Sequence, residues 1–108
     1  MVINWTDRAK QHLRDIYDYY ADVAGDNIAG KLAADISNAA RPLATFPEMA
    51  AREPALIDYP QVFRSLIVRK RYKIIYFVEN EIVHIVAVWD CRQNPDKLKG
   101  RVLMGKFL

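Results

Sequence analysis

Residues 63–94 have the sequence FRSLIVRKRYKIIYFVENEIVHIVAVWDCRQN, and most of the predicted sheet lies in this stretch. Its strand-forming residues fall into three runs, separated by short polar segments at 69–71 and 79–81. Connections of this length join antiparallel neighbours. Nearly every position in the runs is apolar, whereas a strand with one solvated face alternates apolar and polar residues. The stretch therefore predicts a sheet whose two faces are both covered, one by the chain itself and the other by a partner.

The whole chain of 108 residues is predicted to form one α+β domain with the element order β-α-α-β-β-β. Its antiparallel twisted sheet is expected to carry an α-helical hairpin on one face. From the N-terminus, the predicted segments are a strand at 1–5, a helical hairpin at 6–46, a loop at 47–61, a three-stranded antiparallel meander at 62–91 and a C-terminal tail at 92–108.

Local signals set the predicted ends of the helices. Thr6 is suited to cap the first helix, because its hydroxyl can accept a hydrogen bond from a free backbone N–H. Gly25 is expected to end that helix, and Pro42 to break the second helix just before it. In the last strand, strict alternation predicts that one face is shared by Ile82, His84, Val86, Val88 and Asp90.

The composition is ordinary for a globular protein, with 52% hydrophobic and 27% charged residues. The single cysteine, Cys91, excludes an intrachain disulfide and suits a reducing cytosol. The sequence has neither an apolar run of roughly 18 residues, which a membrane-spanning helix needs, nor a secretory signal at its start. We therefore expect a cytoplasmic protein with no membrane partner.

The formal net charge is +3, but the charges are unevenly distributed. Residues 1–60 contain 6 basic and 9 acidic residues, whereas residues 61–108 contain 10 basic and 4 acidic residues. The basic second part attracts polyanions, either nucleic acid or an acidic protein segment. A merely solvated basic surface is the alternative interpretation.

The sequence predicts no metal and no cofactor. His12, His84 and Cys91 are scattered, without the spacing of metal ligands. The four glycines do not form a phosphate-binding loop. His84 lies in mid-strand and is interpreted as a packing or interface residue rather than a catalyst.

Three stretches resemble the RelE/ParE superfamily of toxins from type II toxin–antitoxin systems: INWTDRAKQHLRDIYDYY at 3–20, the break at Phe46-Pro47, and RYKIIYFVENEIVHIV at 71–86. The similarity covers residues 2–98. The resemblance implies a plasmid-stabilisation module whose toxin inhibits growth when it is free of antitoxin. It also implies an antitoxin that wraps the sheet face and the helical hairpin in a hetero-oligomer. This antitoxin would supply the second cover of the sheet.

The superfamily divides by target, and the sequence leaves the target open. ParE-like members poison DNA gyrase and have no known nuclease chemistry. RelE-like members are mRNA interferases, which cut messenger RNA on the ribosome. A third hypothesis is a member that has lost toxicity and remains an RNA- or protein-binding module. The ParE-like function is favoured, because the predicted helices are long and Asp90 stands where RelE-like nucleases often have a histidine.

RNA cleavage without a metal needs a base, an acid and cations that stabilise the phosphorane. Asp90 either acts as a base or forms an ion pair with Arg92 or Arg64. Tyr72 either contacts the RNA or packs in the core. The candidate residues for catalysis or target binding are Arg64, Arg69, Lys70, Arg71, Tyr72, Asp90 and Arg92. Three tyrosines of the first helix are interpreted as packing residues, namely Tyr17, Tyr19 and Tyr20.

Overall fold

The chain folds into two helices and a five-stranded sheet in a computed structural model that describes residues 1–92. The predicted α+β class is confirmed, with one short strand added inside the segment expected to be a loop. The predicted tail lies outside the described residues, except for Arg92. The elements are β1 (Val2–Trp5), α1 (Asp7–Ala24), α2 (Asp26–Ala40), β2 (Ala51–Arg52), β3 (Arg64–Val68), β4 (Tyr72–Glu79) and β5 (Ile82–Asp90), with 3₁₀ turns at Arg41–Ala44 and Pro54–Leu56.

Thr6 begins α1 and also anchors it to the sheet. Its hydroxyl oxygen accepts a hydrogen bond from a backbone N–H of the first turn and donates one to the carbonyl of Ile85 (2.8 Å). Gly25 separates the two helices at φ 96°, a conformation that a residue with a Cβ rarely adopts. α2 ends at Ala40, and the 3₁₀ turn around Pro42 follows. The three predicted helix signals are thus confirmed. α1 has 18 residues and α2 has 15.

The strand order in the sheet is β1-β5-β4-β3-β2. β3, β4 and β5 form the predicted antiparallel meander. β1, however, runs parallel to β5, with Val2 paired to Ile82 and Trp5 to Ile85. The prediction of a wholly antiparallel sheet is therefore wrong at this edge. Short connections force antiparallel pairing only between consecutive strands, whereas two helices separate β1 from the meander and leave its direction free.

Both turns of the meander hold residues with side chains in the left-handed conformation. Arg69 and Lys70 have φ angles of 54° and 56°, and Asn80 and Glu81 have φ angles of 54° and 61°. Such angles are typical of type I′ hairpin turns, for which Asn and Gly are the preferred residues. Only Asn80 meets that preference, so the turn at 69–71 is the less favourable of the two for its sequence.

A β-bulge interrupts the pairing of β4 with β5. Ile75 is opposite Ala87 and Tyr76 is opposite Ile85, which leaves Val86 without a partner in the ladder. One extra residue reverses the alternation of side chains along the rest of a strand. The two halves of β5 therefore follow different patterns of inward and outward side chains.

The bulge changes which side chains face the helices. Val88 packs in the core between the sheet and the helices, and Asp90 lines a cavity next to α1. His84 lies on the opposite side, where its ring stacks on that of Phe77 with centroids 4.8 Å apart. Strict alternation is therefore wrong for this strand, because the bulge divides the residues predicted to share one face: Ile82, His84, Val86, Val88 and Asp90.

Two hydrophobic cores lie on opposite faces of the sheet. The first lies between the sheet and the helices and includes Leu32, Ile36 and Tyr76. The second lies on the other face, where Leu56 and Phe63 cover apolar residues of β4 and β5. The chain itself supplies this second cover, so the prediction that a partner supplies it is wrong for this part of the sheet.

A buried ion pair fixes the segment that forms the second cover. Glu53 is 2% exposed, and its carboxylate accepts hydrogen bonds from Nζ of Lys73 (2.7 Å) and the backbone N–H of Ala55 (2.9 Å). The backbone N–H of Glu53 donates to the carbonyl of Phe63 (2.8 Å), which closes residues 53–63 into a loop. Loss of one partner of such a pair leaves an uncompensated buried charge, so Glu53 and Lys73 hold the loop against the sheet.

α1 completes the sheet edge that β1 leaves open. β1 pairs only with residues 82–85 of β5. Farther along, the backbone N–H of Val88 donates a hydrogen bond of 3.1 Å to Nδ1 of His12, which is buried. In the neutral ring the proton is then on Nε2. His12 therefore takes the place of a strand partner, a role that its position in the sequence does not indicate.

Replacement of His12 by Leu should lower the free energy of unfolding by about 1–3 kcal/mol, because the buried N–H of Val88 then lacks an acceptor. Asn is the matched replacement, since its side-chain oxygen can accept the same hydrogen bond. Urea denaturation of the two variants and the wild type is the measurement. His12→Asn should recover more than half of the stability lost in His12→Leu, and equal losses would contradict the acceptor role.

Candidate functional site

Four of the seven candidate residues meet at one end of the sheet, beside α1. Tyr72 at the start of β4 is paired with Asp90 at the end of β5. The backbone N–H of Cys91 donates to the carbonyl of Arg71 (2.7 Å), which joins the two segments beyond that pair. Antiparallel pairing thus explains why Arg71 and Tyr72 lie close to Asp90 and Arg92, although they are far apart in the sequence.

A cavity of about 310 Å³ lies between these strand ends and α1, and we name it the tyrosine cavity. Its helical residues recur at spacings of three or four, which places them on one face of α1. α1 contributes His12, Asp15, Ile16, Tyr19 and Tyr20, and the strand ends contribute Tyr72, Val88, Asp90 and Arg92.

Asp90 and Arg92 form an ion pair at the tyrosine cavity. Nη2 of Arg92 lies 2.7 Å from Oδ2 of Asp90, and Nε and the backbone N–H of Arg92 donate to the same carboxylate. These hydrogen bonds lower the pKa of Asp90, so that its side chain is a carboxylate at neutral pH and a weak proton acceptor. The ion pair that the sequence left as one alternative is therefore present, with Arg92 as the partner rather than Arg64.

Arg71 packs against two tyrosines. Its guanidinium carbon lies 5.3 Å from the ring centroid of Tyr20 and 5.4 Å from that of Tyr72, which is cation–π geometry. The hydroxyl groups of Tyr72 and Tyr20 are 3.5 Å apart. Burial, together with this contact, raises the pKa of Tyr72 to about 12. Tyr72 therefore keeps its proton at neutral pH, and it is a core residue that also lines the cavity.

The other two cations of the turn have different surroundings. Arg69 pairs with Asp35 of α2: its Nε donates to Oδ2 at 2.9 Å, and its Nη2 contacts the same oxygen. Lys70 is exposed, and its side chain has no ion pair or hydrogen bond with any of residues 1–92. The three consecutive cations are thus divided: α2 holds the first, α1 and β4 hold the third, and the second is exposed.

Arg64 lies apart from the other six candidate residues. Its Nη1 donates to the carbonyl of Ala50 (2.8 Å). β3 extends from Arg64 to Val68 beside the turn, so Arg64 is about 13 Å along the strand from that turn. The phenol of Tyr76 donates to the carbonyl of Pro47 (2.7 Å) in the same region. Arg64 and Tyr76 therefore stabilise the segment that leads into β2 rather than the tyrosine cavity.

The residues of α1 that complete the cavity are not among the seven candidate residues for catalysis or target binding. Tyr20 packs against the core, as predicted, and its ring also contacts the guanidinium of Arg71. Tyr19 is 59% exposed and contacts the ring of Tyr20 edge to face at 5.0 Å. Their spacing from His12 was a signal available in the sequence. Nothing there indicated that this face of α1 would meet the ends of β4 and β5.

A second cavity of about 470 Å³ lies between α1 and α2, and we name it the helical groove. It uses a different face of α1 from the tyrosine cavity, because its α1 residues are 10, 13, 14 and 17. Apolar side chains form most of the lining, and Lys10 and Arg14 are its basic members. The lining residues are Trp5, Lys10, Leu13, Arg14, Tyr17, Ala33 and Ser37.

In the part of the chain that the structure describes, no group of three or more His, Cys, Asp or Glu side chains is placed to hold a metal ion. His12 lies in the interior beside β5, whereas His84 lies on the opposite face of the sheet. Neither α1 nor α2 is long and apolar enough to cross a membrane.

Two comparisons with known proteins give matches. A family model described as the ParE toxin of the type II toxin–antitoxin system parDE matches residues 3–95. Among solved structures, the chain is similar to one described as the chromosomal ParDE TA system from P. aeruginosa, with a TM-score of 0.71 and 25% sequence identity. That match covers 83% of this chain and 95% of the other. A search of curated protein sequences gives no match. The resemblance seen in the sequence is therefore confirmed.

Tyr72 should make stability depend on pH in the alkaline range. Its folded-state pKa of about 12 lies above the unfolded value of about 10, so its contribution is fully present below pH 10 and is lost as the pH rises towards 12. The loss is on the order of 2 kcal/mol. Urea denaturation from about pH 8 to 12 should show a smaller alkaline loss for Tyr72→Phe than for the wild type.

The control is Tyr19→Phe, which removes a phenol hydroxyl from an exposed ring of the same cavity. It should retain the alkaline loss of the wild type. Parallel curves for the wild type and Tyr72→Phe would contradict the assignment to Tyr72.

Proposed function

The chain belongs to the ParE toxin family of type II toxin–antitoxin systems, and from this premise we propose that it inhibits growth by binding DNA gyrase. Membership of the family makes the chain a type II toxin and implies an antitoxin partner. One observation carries the gyrase proposal. The tyrosine cavity offers cations and aromatic rings, and three of its groups that could transfer a proton are engaged within residues 1–92, namely His12, Tyr72 and Asp90.

Asp90, Tyr72 and His12, three side chains of the cavity that could act as an acid or a base, are engaged in the fold. Arg92 lowers the pKa of Asp90, and burial raises the pKa of Tyr72 to about 12, so neither changes its protonation near pH 7. Nδ1 of buried His12 accepts the backbone N–H of Val88. Metal-free RNA cleavage needs both a base and an acid. The arrangement therefore supports binding over the alternative, a ribosome-dependent mRNA endonuclease.

The proposed contact surface for gyrase is the edge formed by Lys70 and Arg92. The hydrogen bond between the N–H of Cys91 and the carbonyl of Arg71 holds the two segments side by side. The ion pair with Asp90 fixes the direction of the Arg92 guanidinium, while the side chain stays 66% exposed. An arginine that is ordered before binding loses less conformational entropy on contact, and arginines are frequent hot spots. This basic edge suits an acidic surface on the target.

Arg92→Ala should weaken growth inhibition by about tenfold or more, because it removes an exposed contact and leaves both cores unchanged. Arg92→Lys should keep part of the inhibition, since Lys supplies the charge without the planar fork. The matched control is Arg41→Ala, which removes an exposed arginine after α2 and should inhibit fully. Growth after induction without antitoxin is the measurement, with urea denaturation to verify the fold. Equal inhibition by Arg92→Ala would exclude Arg92 from the contact surface.

The target is tested in the same cultures. Induction should produce gyrase-trapped DNA breaks, mapped along the chromosome, while messenger RNA stays intact. Codon-phased cuts in messenger RNA with normal supercoiling would contradict the gyrase proposal and support the endonuclease alternative. Unchanged growth of the induced wild type would contradict toxicity and support a binding module.

We further propose that the antitoxin binds the helical groove. The resemblance implies an antitoxin on the sheet face and the helical hairpin. Residues within 53–63 already cover part of that sheet, whereas the helical groove is open. Its apolar lining suits the apolar face of an amphipathic segment. Lys10 and Arg14 favour acidic residues along the edge of that segment.

Combined charge reversal, Lys10→Glu with Arg14→Glu, should weaken antitoxin binding by about tenfold or more at low salt, because it places like charges against the acidic edge. The effect should shrink at high salt, which screens exposed charges. Lys31→Glu with Arg41→Glu is the matched control, since it changes net charge equally at exposed positions on and after α2. Titration calorimetry with the cognate antitoxin is the measurement. Equal weakening by both double variants would contradict a specific role for the groove.

A further inference from the structure

We propose that the three cations of the turn at 69–71 have different roles, an inference that rests on the proposed growth inhibition. Lys70 is the cation that contacts the target. Arg69 and Asp35 are positioning residues, because their ion pair holds the turn in the conformation that presents Lys70. The proposal assigns a function to Asp35, which lies on α2 and outside both cavities.

The surroundings of the three cations support these different roles. The guanidinium of Arg69 makes two contacts with Asp35. The guanidinium of Arg71 lies over the rings of Tyr20 and Tyr72. Both arginines are therefore engaged within the fold, on either side of an exposed Lys70 whose side chain contacts no charged or hydrogen-bonding group of residues 1–92. An exposed ammonium between two fixed neighbours is available to an acidic surface.

The backbone of the turn is unfavourable for its sequence. Arg69 and Lys70 both have positive φ angles, and the N–H of Arg71 closes the turn by donating to the carbonyl of Val68 (3.1 Å). Left-handed angles favour Gly and Asn over residues with long side chains. A turn of this kind persists when its surroundings hold it in place. Here a contact to α2 precedes Lys70 and a contact to α1 follows it.

The second turn of the meander is the natural comparison. Asn80 and Glu81 have nearly the same φ angles as Arg69 and Lys70. Glycine at position 70 would relieve the strain, so a lysine there lowers stability. Glu81 is strained in the same way but lies at the opposite end of β4 from the proposed contact surface.

The first test compares Lys70→Gly with Glu81→Gly in the full chain. Both variants should unfold at a higher urea concentration than the wild type, because Gly relieves the left-handed strain. Only Lys70→Gly should lose growth inhibition, by about tenfold or more. Lys70→Arg should inhibit, since it keeps the charge. Full inhibition by a folded Lys70→Gly would overturn the contact role of Lys70.

The second test separates positioning from stability by charge exchange. Asp35→Arg alone and Arg69→Asp alone should each weaken inhibition several-fold, because each places like charges opposite one another. The double variant, Asp35→Arg with Arg69→Asp, restores opposite charges and should recover most of the inhibition. A double variant no better than the weaker single variant would overturn the positioning role.

Limited trypsin digestion measures how rigidly the turn is held, and it needs no knowledge of the target. The turn contains three consecutive trypsin sites, and a held turn resists cleavage. Asp35→Arg should be cut after Lys70 and Arg71 several-fold faster than the wild type, and the double variant, which keeps both of these sites, should return to the wild-type rate there. An unchanged cleavage rate in Asp35→Arg would overturn the positioning role. This result does not depend on whether the wild type inhibits growth. Growth inhibition without gyrase-trapped breaks would reject gyrase as the target but would leave the proposed roles of Lys70, Arg69 and Asp35 intact.

Discussion

The extra residue at Val86 determines which side chains near the end of β5 face the helices. Tyr76 and Tyr72 of β4 both face the helices, and their partners in β5 are Ile85 and Asp90. These two partners are an odd number of residues apart, so a regular strand would place them on opposite faces. The bulge allows both to face the helices. Without the bulge, the side chain of Asp90 at the end of β5 would face away from α1, and the tyrosine cavity would lose one wall.

The contacts of α1 with the ends of β4 and β5 support the proposed binding function. His12 satisfies the N–H of Val88, Arg92 satisfies Asp90, and Tyr72 is buried against the neighbouring Tyr20. These three groups, which could otherwise move a proton, are engaged in contacts that hold the fold. The ring of Tyr19 and the guanidinium of Arg92 remain exposed, beside the exposed side chain of Asp15. The proposed binding function uses charge and packing, and it needs no group with a pKa near neutrality.

Most of the fold could be predicted from the sequence, because its signals are local. Thr6, Gly25 and Pro42 act within one helical turn, and the polar segments of the meander fix strand direction directly. The parallel direction of β1 and the bulge at Val86 could not be predicted, since both depend on contacts between distant segments. Of the candidate site, the ion pair of Asp90 with Arg92 was accessible, because two residues at the end of a strand lie close together. The separate position of Arg64 and the contribution of His12 depend on the register of the assembled sheet.

The two turns of the meander have nearly the same backbone angles but differ in the contacts that support them. They share a backbone that favours Gly and Asn, and only Asn80 meets that preference. At residues 69–71 the unfavourable backbone is held by two contacts. Arg69 pairs with Asp35 of α2, and the guanidinium of Arg71 lies over the rings of Tyr20 and Tyr72. A flexible turn would be easier to build but would have to be ordered on binding, at a cost in affinity. The helices therefore cover the core and, through Asp35 and Tyr20, also hold the turn. In the proposed function, these contacts order the contact surface before the target binds.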